Sequence, residues 1–180
     1  MLAGLLLAQP LLPTPLHAQE PLSTVPPCPL EAQGYFSASL RGTLDADLDW
    51  HGAALACDGM PRPDGSGGRL LFGGEFDDGT GLSLVLGIES LAPGRTGEAL
   101  PVNITLVVRD RGQFFGSRQQ SGCWADIREN RPLEGRPDRF RIAGVAWCVR
   151  VLPEIGGDGA VSLPSAEFAG VLSLEDSIAD

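Results

Sequence analysis

The stretch Tyr35-Phe36-Ser37-Ala38-Ser39-Leu40-Arg41-Gly42-Thr43-Leu44-Asp45-Ala46-Asp47-Leu48-Asp49-Trp50 decides the fold class. Its even positions are apolar, apart from Gly42, and from Ser37 onward its odd positions are polar or charged. A period of two is the pattern of a half-buried strand, with one face in the core and the other in water. The run is long for a single strand. Gly42 within it marks a bulge, a bend or a close approach of another backbone.

Working outward, short strand-like segments follow one another with turn signals between them. A second strand is predicted over Ala53 to Cys57. The segment from Cys57 to Arg69, with two Asp-Gly pairs and two prolines, reads as one long loop. Further strands are expected over Arg69 to Phe76, Leu82 to Leu91 and Val102 to Arg109. Asp77-Asp78-Gly79-Thr80-Gly81 forms a hairpin turn between the first two of these. Leu82 to Leu91 is apolar nearly throughout, which suits a central strand. Gln113 to Ser117, Cys123 to Ile127, Arg139 to Leu152 and Val161 to Leu174 complete the set. Arg128 to Asp138, polar and with two prolines, reads as a loop. No segment repeats at the helical period. An all-β fold follows: an antiparallel β-sandwich of about 8–10 strands, with a small β-barrel as the alternative.

Residues 1–18 read as a signal peptide, ending at the small residue Ala18. Residues 19–33 are rich in proline and form an extended N-terminal arm without helix. Residues 34–180 form one all-β domain. The apolar run of the leader is too short and proline-broken to span a membrane. The chain is therefore expected to be exported, to a periplasm or the extracellular space, and its composition points to a bacterial source. All 13 basic residues are arginine, as a GC-rich genome would favour.

The net charge of -10 excludes nucleic acid as the natural partner, because phosphate binding needs a cationic face. Cys28, Cys57, Cys123 and Cys148 contain no C-x-x-C pair, so neither a zinc site nor a thioredoxin-like centre is expected. An even count in an exported chain points to two disulfides. Pairing of sequence neighbours, Cys28 with Cys57 and Cys123 with Cys148, is favoured over the other two connectivities.

Four candidate chemistries stand against plainer uses. Asp45, Asp47 and Asp49 project from one strand face, where Ca²⁺ would relieve their repulsion. An EF-hand is excluded, because its sixth position holds Trp50 and its twelfth Ala56. A solvated acidic face that discourages edge pairing is the favoured reading, and no cofactor is implied. His51 is the one histidine beyond the leader. Asp58 and Ser66 lie near it in sequence, but no G-x-S-x-G elbow is present. Carboxylate pairs for glycoside chemistry have no specificity among 23 acids. Arg62 and Arg69 flank Gly65 to Gly68, and this loop could bind an anion or partner, together with His51 and Asp58. It is not a P-loop, as no Lys-Ser or Lys-Thr and no helix follow. Asn103-Ile104-Thr105 matches a glycosylation sequon inside a predicted strand and is read as chance. No stretch resembles a characterised family.

The favoured function is a non-catalytic exported β-domain, structural or binding an unknown protein or small ligand by its loops. The rivals are a secreted hydrolase using His51 or paired carboxylates, and an apolar-ligand carrier if the sheet closes as a barrel.

Overall fold

A computed structural model describes residues 25–117 and 122–174. The leader and the first part of the arm lie outside the described residues. The strands in chain order are β1 (Tyr35–Gly42), β2 (Ala46–His51), β3 (Ala56–Pro61), β4 (Gly67–Glu75), β5 (Gly81–Glu89) and β6 (Gly97–Val108). They are followed by β7 (Gln113–Gly116), β8 (Cys123–Leu133), β9 (Arg136–Cys148), β10 (Leu152–Pro153), β11 (Ala160–Ser162) and β12 (Ala166–Ser173). The only helical pieces among the described residues are three-residue 3-10 turns, at Glu31–Gln33, Gly52–Ala54 and Arg109–Arg111. The first of these interrupts the arm, for which the prolines predict extended chain throughout.

All ladders are antiparallel. The sheet runs in the order β10-β11-β1-β12-β9-β8-β6-β5-β4-β3, with β2 added to β1 and β7 to β6. It is open, so the fold is sandwich-like and the barrel alternative does not hold. β3 does approach β12: a methyl group on Gly59 would come 2.1 Å from the carbonyl oxygen of Val171. No hydrogen-bonded ladder joins the two strands among the described residues. The long strand β6 links the layers. Its first residues pair with β8, and Val102 to Val108 pair with β5.

Tyr35 to Trp50 is two strands. β1 and β2 form a hairpin in which Phe36 faces Trp50, Ala38 faces Leu48 and Leu40 faces Ala46. Directly opposed residues share a face of the sheet. Because the paired positions also share parity, the alternation passes through the turn unbroken. Gly42, with φ 118°, serves the reversal.

The Cys57 to Arg69 segment is also more regular than its composition implies. β3 continues through Asp58-Gly59-Met60-Pro61, and only residues 62–66 form the connection. Gly59 stands in the strand because Val171 leaves no room for a side chain. Pro61 ends β3 on the side away from β4, where no ladder donor is needed. The polar segment Arg128 to Asp138 belongs mostly to the β8–β9 hairpin, turning at residues 134–135. Pro132 and Pro137 fall beyond the pairing with β6 and β12, where neither strand has a further ladder partner among the described residues.

The core fills with side chains. Phe36, Phe72 and Phe168 are fully buried, and Trp50 nearly so. Ring centroids lie 5.7 Å apart for Phe36–Trp50, 5.0 Å for Phe36–Phe72 and 5.7 Å for Phe72–Phe168. This chain of rings crosses from β1 and β2 through β4 to β12. Disulfides join Cys28 to Cys57 and Cys123 to Cys148. No helix among the described residues is long and apolar enough to cross a membrane.

Candidate functional site

The layer formed by β3 to β7 has two faces. Leu70, Phe72, Leu84, Leu86, Ile104 and Leu106 point into the core and are fully buried. The alternate positions face out. Register places Met60, Arg69, Gly87 and Asn103 in one cross-strand row of that outer face. Asp58, Leu71, Val85, Thr105 and Gly116 form the next row.

Between these rows lies a groove of about 290 Å³, lined by Arg62, Arg69, Val85, Gly87, Asn103 and Thr105. Gly87 is its floor, since β5 is the central strand and carries no side chain there. Arg69 and Asn103 are the direct cross-strand neighbours of Gly87, on either side. Arg62 enters from the β3–β4 turn. That turn is held by Arg62 N–H to Gly67 O at 2.8 Å, Gly65 N–H to Arg62 O at 2.9 Å, and Ser90 N–H to Ser66 O at 2.7 Å. Asp64 adds an Asx turn: its Oδ1 accepts from the Ser66 backbone N–H at 3.0 Å and from the Ser66 hydroxyl at 2.7 Å. These two bonds, the hydroxyl one first, hold its carboxyl below the ordinary aspartate value, and the Arg62 charge adds to the effect.

The Arg62 side chain is only 17% exposed. Its Nη2 lies 3.5 Å from Asp64 Oδ2, and its Nη1 lies 3.8 Å from Glu89 Oε1. Neither Nη1 nor that Glu89 oxygen has a hydrogen-bond partner among the described residues. Glu89 sits two residues beyond Gly87 on the same face of β5. The charge of Arg62 is thus balanced by two carboxylates, neither within good hydrogen-bond reach.

The sequence-derived candidates therefore separate. Arg62 and Arg69 share the groove. Asp58 lies on the same outer face but outside the lining, with its Oδ1 accepting from the N–H of Gly59 at 2.8 Å. His51 ends β2 in the other layer. Its Nδ1 is 3.6 Å from Asp49 Oδ1, with the side chains 67% and 77% exposed. Ser66, in the β3–β4 turn, is committed to Asp64. The residues of a nucleophilic triad are not brought together.

Asp47 and Asp49 lie on β2, and Asp45 lies in the turn before it. Asp47 accepts from the Ser39 hydroxyl at 2.6 Å and from Arg41 Nη2 at 2.7 Å, and Asp45 lies 3.6 Å from Arg41 Nη1. The Ser39 bond, then Arg41, lowers the Asp47 carboxyl below its usual value. Arg41 therefore relieves the repulsion between Asp45 and Asp47, while Asp49 lies beside His51. The three aspartates do border a surface cleft of about 440 Å³ that continues to Asp78 and Arg111.

Sequence reasoning missed Asn103, Thr105 and Gly87 as groove residues, and Glu89 as the acid beside Arg62. A signal was present. From Leu82 to Ile88 in β5 and from Leu100 to Val108 in β6 one parity is Leu, Ile or Val, and the other holds Ser83, Gly87, Glu89, Asn103 and Thr105. Reading Leu82 to Leu91 as apolar nearly throughout hid that second face.

No protein-family model, curated protein or solved structure matches the chain.

Proposed function

We propose that the chain is an exported, non-catalytic β-domain that binds a small ligand or a partner through the groove over Gly87. The observation that carries this reading is the meeting of Arg62 and Arg69 with Asn103 and Thr105 on one sheet face. Paired strands hold three of these residues, and a bonded turn holds the fourth. Such a site needs little ordering when a ligand arrives, so more of the contact energy appears as affinity. The two disulfides support residence in an oxidising compartment.

The rivals have less support. A hydrolase built on His51 would rest on an exposed histidine whose nearest acid is 3.6 Å away and which makes no hydrogen bond to a hydroxyl or thiol among the described residues. An apolar-ligand carrier needs a closed barrel with a roomy interior. Here the sheet is open, and Phe36, Phe72 and Phe168 fill the space between its layers.

Two assays on the folded chain test the proposal. In a thermal-shift screen of small polar ligands, at least one should stabilise the wild type and lose its effect in the Arg62→Gln/Arg69→Gln variant. In ester, peptide and glycoside panels the wild type should give no turnover. Turnover that falls in His51→Ala would favour the hydrolase instead.

A further inference from the structure

Gly87 needs explaining. Its φ is not in the left-handed region, and a methyl group built on it would meet only Asn103, at 3.7 Å, an ordinary contact. Neither backbone conformation nor packing demands glycine. Gly73 and Gly116 share this freedom, but several strand glycines do not: at Gly59 and Gly144 the same methyl would lie 2.1 Å from a carbonyl oxygen. Glycine inside a strand is destabilising. What it provides at this position is an opening in the sheet surface between Arg69 and Asn103.

The groups around that opening have a definite chemistry. Arg62 is mostly buried, with Glu89 and Asp64 at 3.8 and 3.5 Å and no side-chain hydrogen bond among the described residues. Asp64 is kept from closing on it by its two bonds to Ser66. Arg69, exposed on β4, has no carboxylate partner among the described residues. Guanidinium groups in this state are best matched by a planar carboxylate, which accepts two parallel N–H bonds. Glu89 and Asp64 both lie against Arg62, so Arg69 holds the charge left without a carboxylate partner among the described residues. A dianion would meet the repulsion of those two carboxylates twice over, whereas a single carboxylate meets half of it and answers the one charge left on Arg69. The Asn103 amide and Thr105 hydroxyl can donate to, and accept from, hydroxyl or amide groups beside it.

We infer that the groove over Gly87 is a receptor for one carboxylate group carried on an otherwise uncharged polar body. This names the ligand class for the binding reading above, on which it rests. Arg62 and Arg69 clasp the carboxylate, Glu89 holds Arg62 in position, and Gly87 supplies the space.

The test is an NMR titration of the folded chain with acetate and with glucuronate, at fixed ionic strength, with glucose and inorganic phosphate as controls. Both carboxylates should shift the amides of Gly87, Arg69 and Asn103 saturably, with dissociation constants on the order of millimolar, as expected for fragments of this size. Glucose and phosphate should bind more weakly. Gly87→Val fills the floor and should weaken carboxylate binding at least about tenfold while leaving distant amides unmoved; Arg69→Gln should weaken it similarly. Unsaturable carboxylate shifts in the wild type, undiminished binding by Gly87→Val, or tighter binding of phosphate or glucose would each overturn the assignment. If another ligand found by thermal shift still depended on Arg62 and Arg69, the carboxylate inference would fall and the binding reading would stand. Turnover lost in His51→Ala would remove the reading itself.

Discussion

Asn130 is the one polar side chain buried in the core among the described residues, at 8% exposure. Its Oδ1 accepts from Gly94 N–H at 3.0 Å, and its Nδ2 donates to Ala92 O at 2.9 Å and Arg95 O at 2.8 Å. One amide thus pins the loop between β5 and β6. Asn130→Ala would strand these backbone groups and should cost about 1–3 kcal/mol in urea unfolding. Nothing in the local sequence marks this residue, because its partners lie more than thirty positions away. Two glycines make a sharper contrast. A methyl on Gly74 would lie 2.3 Å from the indole of Trp50, whose Nε1 donates to Glu75 O at 3.0 Å. Gly74→Ala should therefore destabilise by about 1–3 kcal/mol. Gly87→Val should instead leave stability unchanged or raise it by up to about 1 kcal/mol. Equal losses in both variants would contradict the view that Gly87 is kept for the groove.

Titration belongs to this scale too. Asp47, Asp64 and Asp78 are all held below the ordinary aspartate value, chiefly by bonds from Ser39, Ser66 and Thr80 respectively. A lowered folded-state value means that their stabilisation is fully present above the unfolded-state value. It is then lost as pH falls through the folded one. All three are at the surface, so the effect on global stability is small. Carbon-detected NMR should find each carboxyl titrating at lower pH in the folded chain than in urea. Midpoints that rise on folding would contradict the Asx-turn and hairpin contacts.

At the scale of elements, fold class was legible and boundaries were not. The alternation over Tyr35 to Trp50 reveals strand but cannot separate one long strand from a hairpin whose partners share parity. Asp58-Gly59 reads as a turn because the approach of β12 that demands glycine is a long-range contact. Pro132 and Pro137 read as loop because proline is tolerated only where a neighbour is missing, which depends on the lengths of β6 and β12. For the site, Arg62 and Arg69 stood out as flanks of a glycine-rich turn. Asn103 and Thr105 reach the groove only through the β4–β5–β6 register. One element carries its own prediction. The segment before β1 is fastened by Cys28–Cys57 and by a bridge between Pro27 and Ala56 beside β3. Replacing both cysteines with alanine should cost about 2–4 kcal/mol. It should also speed exchange of the backbone amides at positions 28 and 57, which bond Leu55 O and Pro26 O in the wild type. Unchanged exchange there would mean that the bridge does not anchor the segment.

For the whole molecule, the first and last described strands are spatial neighbours: β12 inserts between β1 and β9 and completes the core with Phe168. The sheet stays open because β3 meets β12 without a ladder. Its outer face over β4, β5 and β6 carries the groove. The central claim is that this groove binds. The most direct measurement is the shift in unfolding temperature caused by a saturating ligand, in the wild type and in Arg62→Gln/Arg69→Gln. A ligand at a hundred times its dissociation constant adds about 2.7 kcal/mol, which for a chain of this size is a rise of roughly 5–10 °C. The expected result is such a rise in the wild type and its loss in the double variant. An equal rise in both, or no rise with any ligand tried, would contradict the claim.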